Sequence, residues 1–296
     1  MSIFDRYEQF ADKTFNDAAE KYLSQFRGKC QKRQWYALQN ILSYIGDLKL
    51  IDVDDATLEE YKRDRIKFAM VGTINKEIST ATAVMNKAAR VWRWIPSAPL
   101  LQRVEGDHRT PYPLSWPEQI NVFKRLVGNL QKICLFAVNT GVRREEVFQL
   151  RWEHEHDVEG VMVFILPKNV TKNGKSRPVI CNSIARRVVE QMRQPSTFAP
   201  RSSEYVFPRM TVNKVLNLAW TMAGLPDDGL IKKGIHNLRH TFGHRLRAEG
   251  VEPEDRDMLL GHHNRSLTQH YATPDILRLS EMVERITVRR DTVVLR

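Results

Sequence analysis

Between residues 95 and 113 the chain carries Pro96, Pro99, Gly106, Pro111 and Pro113. A helix cannot run through such a stretch, because each proline removes an amide hydrogen and clashes with the preceding turn. Apolar residues recur at helical spacing on both sides of it, so the chain should divide into two units with separate cores. Its 296 residues suffice for two domains of ordinary size. The expected boundaries are a first domain at 1–95, a linker at 96–113 and a second domain at 114–296.

In the first domain Phe15, Ala18, Ala19, Tyr22, Leu23 and Phe26 fall on one helical stripe. Further helices are expected over 32–45, behind an acidic cap at Asp55, and over 73–94, where Ile74, Ile78, Ala81, Val84, Met85, Ala88 and Val91 share a face. The result is a small helical bundle. The second domain opens on Ser115-Trp116-Pro117-Glu118, a capping-box pattern ahead of an apolar-periodic helix. Helices then dominate, apart from β-type sequence over 158–167 and 171–181, where Asn173-Gly174 signals a two-residue hairpin turn beside Lys172. From about residue 274 a tail follows, with Ile276, Leu279, Val283 and Ile286 on one stripe and strand-like sequence after it. The fold class is therefore mainly α with a small β-sheet (α+β). No repeat of fixed period occurs, which removes solenoid architectures.

The longest apolar runs, 133–138 and 161–166, fall far short of the ~18 residues that cross a bilayer. The first residues mix in charge and lack a secretory pattern, so a cytoplasmic location is expected. Cys30, Cys134 and Cys181 are too scattered for a disulfide framework or a Cys-based zinc site. Lys and Arg number 46 against 35 Asp and Glu, a net charge of +11 without a polybasic tail. Positive charge spread over folded surface suits a polyanion such as nucleic acid.

Chemistry-bearing residues gather in the second domain. His236-Asn237-Leu238-Arg239-His240 is followed by His244, Leu260-Gly261-His262 and Tyr271, while Asn139-Thr140-Gly141-Val142-Arg143-Arg144 lies upstream. A basic residue at the start of a helix opposes the helix dipole, so Arg143 needs a reason other than helix stability. A bound phosphate supplies one, since guanidinium groups give it two-point hydrogen bonds, and Arg143 and Arg239 could clamp it together. Histidines can move protons near neutral pH, and a deprotonated tyrosine is a nucleophile. His236, His240 and His244 at i, i+4 and i+8 suggest zinc, but the metalloprotease pattern needs Glu after the first His and Asn237 stands there. No metal or cofactor is expected. Blander readings exist: Tyr271 as a packing residue, Arg143 with Glu146 as an i,i+3 ion pair, and the stretch from Asp257 to Tyr271 as a helix-turn-helix.

In this order and spacing the motifs resemble those of the tyrosine recombinase family, phage integrase type, over nearly the whole chain. Thr140-Gly141-Val142-Arg143 with Glu146 is similar to its first arginine motif, Arg144 standing where an apolar residue is usual. Thr171-Lys172-Asn173-Gly174-Lys175-Ser176-Arg177 is similar to its hairpin-lysine segment. His236-Asn237-Leu238-Arg239, Leu260-Gly261-His262 and Tyr271 resemble its His-x-x-Arg box, second histidine and nucleophile. The Thr73-Ile74-Asn75-Lys76 and Asn86-Lys87 segments resemble the last helix of its core-binding domain.

The resemblance implies a helical core-binding (SAM-like) domain and a catalytic domain that close as a C-shaped clamp on a duplex, without the extra arm-binding domain of some phage integrases. Tyr271 would attack the scissile phosphate to give a 3′-phosphotyrosine link and a free 5′-hydroxyl. Arg143, Arg239 and His262 would stabilise the phosphate oxygens, Lys172 would protonate the leaving oxygen, and His236 would take the tyrosine proton or hydrogen-bond the phosphate. Lys32, Arg33, Lys76, Lys87, Lys175 and Arg177 would contact DNA. The implied partners are a double-stranded recombination site, further copies in a homotetramer on synapsed DNA with monomers or dimers when free, and accessory DNA-bending or directionality proteins. The apolar stripe of the tail must dock on its own catalytic domain or on a neighbour, and the resemblance favours passage to a neighbouring subunit. A bacterial host cytoplasm, at the nucleoid, and integration or excision of a phage or other mobile element complete the expectation. The rival readings are a type IB topoisomerase-like relaxing enzyme and a non-catalytic DNA-binding protein.

Overall fold

The computed structural model describes residues 5–28, 30–194, 203–262 and 273–288. The expected nucleophile, Tyr271, lies outside them. Contacts divide the chain into Met1–His108 and Arg109–Arg296. The 96–113 stretch contributes to both units: Leu101 packs in the first core, Asn75 brackets the Val104 backbone at 2.8 and 2.9 Å, and Tyr112 and Leu114 enter the second core.

The first unit is helical: α1 (Asp5–Glu8), α2 (Phe15–Ser24), α3 (Gln31–Ile45), α4 (Glu59–Arg65) and α5 (Val71–Arg90). Thr14 caps α2 in a box with Asp17, satisfying amide groups that a helix start leaves without partners. The α5 stripe of Ile74, Ile78, Ala81, Val84, Met85 and Ala88 closes on Phe15 and Ala18 of α2 and on Leu38, Ile41 and Ile45 of α3. One buried acid interrupts this apolar face. Glu77 accepts both arms of Arg65 at 3.0 and 2.9 Å, Asn40 at 2.7 Å and the Tyr61 hydroxyl, the pairing a buried carboxylate requires.

The second unit contains α6 (Trp116–Phe123), α7 (Gly128–Thr140), α8 (Arg144–Phe148), α9 (Ser183–Arg193), α10 (Val212–Met222), α11 (Ile235–Ala248), α12 (Pro253–Leu260) and α13 (Thr273–Arg285). Ser115 and Glu118 form the capping box of α6 that the sequence predicts. Thr110–Pro111 (β1) pairs in parallel with Ile231–Lys232 (β5), while Glu155–Val158 (β2), Val161–Leu166 (β3) and Arg177–Ile180 (β4) form an antiparallel sheet. Both faces of the middle strand are covered, which is why its sequence is an unbroken apolar run. Met162, Phe164 and Leu166 face the main core, and Val163 faces a second cluster that contains Phe242, Leu246, Leu259 and the α13 residues Ile276, Leu279, Val283 and Ile286.

One expectation changes here. The two-residue turn is at Glu159-Gly160, both with positive φ (50° and 85°), between β2 and β3. Strands β3 and β4 pair as expected, but across the longer loop 167–176, in which Gly174 alone has positive φ and Asn173 turns its amide to the Gly261 carbonyl at 3.2 Å. The α13 stripe packs on its own unit, where Val163, Ile180, Phe242 and Leu259 offer it an apolar floor. Polar contacts fix the docking: Asn182 Nδ2 donates to the Val283 carbonyl at 3.2 Å, and the Ser183 amide donates to Glu284 at 2.8 Å.

Candidate active site

α11 orders its residues by face. Leu238, Phe242 and Leu246 enter apolar cores. Asn237 and Thr241 are fully buried and bind the backbone of 112–114: Asn237 accepts from the Tyr112 amide at 2.9 Å and donates to its carbonyl at 2.6 Å, and Thr241 accepts from the Leu114 amide at 3.0 Å. Asn237, the residue that breaks the zinc pattern, is thus a structural clip. The remaining face carries His236, Arg239, His240 and His244 into a cleft of about 460 Å³, whose other wall is Pro253, Arg256, Asp257, Leu260 and His262. Among the described residues no three His, Cys, Asp or Glu side chains converge to hold a metal.

The end of α12 organises the cations. The last carbonyls of a helix lack intrahelical partners and carry its negative dipole end. Here the final three are taken by three different arginines: Leu259 by Arg177 at 3.1 Å, Leu260 by Arg239, and Gly261 by Arg143 at 3.1 Å. Arg239 also donates to the Gly141 carbonyl at 2.6 Å, where α7 ends. Both helix ends require glycine. Gly141 (φ 63°) and Gly261 (φ 60°) are left-handed, and a Cβ would come within 2.4 Å of the Phe242 ring in the first case and 2.5 Å of Arg177 Cδ in the second. The Thr-Gly and Leu-Gly steps of the sequence are therefore the backbone seats of Arg239 and Arg143.

Arg143 precedes α8, and Glu146 answers the dipole conflict noted above. One carboxylate oxygen accepts the Arg143 amide at 2.8 Å and the other its Nη1 at 2.9 Å. Arg144 points away, exposed and paired with Glu145, so Arg143 is the inward arginine of the pair. Arg177, expected to contact DNA, is instead 2% exposed and donates to Glu146 at 2.6 Å. A guanidinium sealed in this way cannot reach a phosphate, and that assignment is withdrawn.

Burial alone would raise the Glu146 carboxyl, but Arg177 and Arg143 outweigh it and hold it at about 2. Burial, then the neighbouring charges of Arg143 and Arg177, draw Arg239 down to about 9, still cationic at neutral pH. His236 is lowered by burial and by Arg239, Lys232, Arg143 and Lys172. His240, its ring edge-on to His236 at 4.7 Å, is pushed to about 4 by burial, then by His236, Lys232, Arg239 and His262. His262 is lowered by burial and Arg239 against the opposing pull of Asp257, whose carboxylate lies 3.4 Å from its Nδ1. Lys172 is exposed in the 167–176 loop, close enough for its charge to act on His236. Arg143, Lys172, His236, Arg239 and His262 thus share one neighbourhood, a cationic site with neutral imidazoles at its rim. Lys232, on β5, is a further cation there that no sequence pattern singled out.

The surface candidates are dispersed. Lys32 and Arg33 are exposed at the start of α3 near the exposed ring pair Trp35 and Tyr36. Lys76 is exposed and lines a polar cleft of about 500 Å³ with Asn75, Ser79, Arg103 and His108. Lys87 lies half-buried, its ammonium 5.2 Å from the Tyr22 ring. Lys175 is exposed beside Lys172.

The sequence model of the phage integrase family matches residues 121–277, which include Arg143, Lys172, His236, Arg239, His262 and Tyr271. The integrase of Salmonella phage P22 is 26% identical over 200 residues, covering 62% of this chain and 49% of that protein. The chain thus spans about half the length of that curated relative. Among solved structures, a lambda integrase tetramer bound to a Holliday junction aligns with a TM-score of 0.70 at 14% identity, over 91% of this chain and 83% of that one. The Tn1549 transposon integrase in complex with circular intermediate DNA aligns with a TM-score of 0.66 at 16% identity, over 90% and 98%. At such identities these two show a shared fold.

Proposed function

Since the chain belongs to the phage integrase family, we propose that it is a site-specific DNA recombinase that cuts and rejoins strands through a 3′-phosphotyrosine intermediate. The observation that supports this is the seating of Arg143 and Arg239 on the backbone carbonyls at the end of α12, with Arg239 lining a cleft that His236, His240, His244 and His262 share. Preorganised cations aimed at developing phosphate charge are the largest usual source of catalysis in such reactions. Arg143, Arg239 and His262 would bind the non-bridging oxygens. His236, its proton affinity reduced, would accept the proton of Tyr271 as that oxygen attacks, and Lys172 would protonate the leaving 5′-oxygen. Exchange of one phosphodiester for a phosphotyrosine of similar energy needs no ATP.

The relatives extend the proposal. Lambda integrase forms dimers on core sites and a tetramer on a Holliday junction, so this chain would act on double-stranded recombination sites as a homotetramer, with DNA-bending or directionality proteins as accessories. The element would be a phage or transposon, and the setting the host cytoplasm at the nucleoid. No helix among the described residues is long and apolar enough to cross a membrane. Lys32, Arg33, Lys76, Lys87 and Lys175 would hold the DNA backbone. A topoisomerase-like or purely DNA-binding role is not favoured, because the family match extends across the whole catalytic set. The test is a nicked duplex taken from the DNA that flanks the gene. Wild-type protein should form a covalent adduct and Tyr271→Phe should bind without one; an adduct of wild-type amount from the variant would move the nucleophile elsewhere.

A further inference from the structure

Arg177 opens β4 with its side chain buried, and its contacts form a pattern that neither surface binding nor simple packing explains. Its Nη2 donates to Glu146 Oε2 at 2.6 Å and its Nη1 to the Leu259 carbonyl at 3.1 Å. Glu146 accepts Arg143 Nη1 on its other oxygen at 2.9 Å, and Arg143 Nη2 reaches the Gly261 carbonyl at 3.1 Å. These contacts close a ring through β4, the head of α8 and the end of α12. The Cδ of Arg177 also lies 2.5 Å from where a Cβ on residue 261 would fall, so its stem fills the space beneath the helix end that launches His262.

We propose that Arg177 is a positioning residue of the strand-transfer site: by occupying one face of Glu146 and the Leu259 carbonyl, it holds Arg143 side-on and fixes the α12 end that seats Arg239 and His262. The reason lies in guanidinium geometry. An arginine alone with a buried carboxylate tends to close on it in a two-point fork, which would turn both arms of Arg143 inward. With Oε2 held by Arg177, Arg143 keeps one arm on Oε1 and spans to Gly261 with the other. The charged groups that face Glu146 are Arg143 at the head of α8, Arg177 on β4 and Arg239 on α11, while α12 adds the Leu259 and Gly261 carbonyls to the cluster. Removing Arg177 removes the leading influence that offsets burial at Glu146.

This inference rests on the recombinase reading, and the experiment separates the two. Full-length protein is bound at saturation to the nicked duplex from the DNA flanking the gene, and adduct formation is timed in a single turnover for wild type, Arg177→Met, Arg177→Lys, Glu146→Gln and the double variant Arg177→Met/Glu146→Gln. Arg177→Met should bind the duplex like wild type and form adduct about 100-fold more slowly, the scale of a misplaced reacting group. Its rate should also gain a second acid limb, setting in below about pH 9 and so above the decline that His236 gives wild type, because burial now raises Glu146 and protonation removes the acceptor of Arg143. The double variant should lack that limb and be no slower than the slower single variant, as expected for residues that act through each other. Arg177→Lys, which keeps the charge but not the two-ended reach, should show the same changes in smaller degree, and it carries the test should Arg177→Met not fold. No adduct from wild type overturns the recombinase reading itself. A wild-type adduct with unchanged rate and pH profile in both Arg177 variants overturns the positioning role alone.

Discussion

Arg143 and Arg239 are held by main-chain carbonyls at helix ends and by Glu146, so their planes are fixed before any substrate arrives. Replacement by lysine keeps the charge and loses the planar two-point contact. Arg143→Lys and Arg239→Lys should each slow adduct formation about 100-fold or more, and near-normal rates in timed adduct assays would remove that residue from the phosphate clamp. His236 gives a prediction with a sign. Its pKa is lowered from 6.5 by burial and then by Arg239, Lys232, Arg143 and Lys172, so it is neutral and able to accept a proton at neutral pH. The wild-type rate should decline only as pH falls below 6.5, and Lys172→Ala, which deletes one of those cations, should move the decline toward higher pH; an unmoved profile would separate Lys172 from His236. Arg143, Lys172, His236, Arg239 and His262, which the sequence motifs single out, lie in one neighbourhood; the arginines and histidines stand out beside a glycine step or within a short helical spacing, and Lys172 only through its resemblance to the family's hairpin-lysine segment. Arg177 was misread, since a basic residue after a lysine-rich loop looks like a surface contact until the fold shows Glu146 behind it. Nothing in linear order reveals that a residue 31 positions upstream supplies its counter-charge.

At the scale of elements, periodicity locates the helices, but it specifies neither the turn between strands nor what covers a helix face. Asn173-Gly174 is the stronger hairpin signature, but Asn173 spends its side chain on Gly261, and the tight turn forms at Glu159-Gly160, where Asp157 accepts the Gly160 amide at 2.9 Å. A turn signal states only what the backbone tolerates, and tertiary contacts decide which turn is used. The α13 stripe was equally legible as a stripe, whereas its partner was not, because an amphipathic helix specifies a face and not what covers it. The structure supplies the cover: Leu279 and Val283 are fully buried in the cluster of Val163, Ile180, Phe242 and Leu259. Leu279→Ala should therefore cost about 2–5 kcal/mol of stability. The cost should appear in the isolated protein, at any dilution, as a lower urea midpoint of the catalytic unit. A variant with an unchanged midpoint that instead failed only to assemble on DNA would return the helix to a neighbouring subunit.

For the whole molecule, the +11 charge sets how tightly and how salt-dependently it should hold a polyanion. Binding that releases condensed counterions weakens with salt at a log–log slope of about −0.9 per phosphate neutralised. Charge that the protein neutralises internally contributes nothing to that slope, so net charge alone does not say which residues matter. Lys32, Arg33, Lys76 and Lys175 are exposed, and each could neutralise one phosphate. Lys87 is half-buried against Tyr22 and should count for less. Arg177 is paired with Glu146 in the interior and should count for nothing. Titration of the flanking-DNA duplex with Tyr271→Phe protein, which cannot trap itself covalently, should give a linear plot of log affinity against log salt. Changing Lys76 to Ala in that background should make the slope shallower by about 0.9, Lys87→Ala by less, and Arg177→Met by none. A shallower slope for Arg177→Met would mean that this guanidinium leaves Glu146 to meet the DNA, and the ring through Arg143 would then open when the substrate binds.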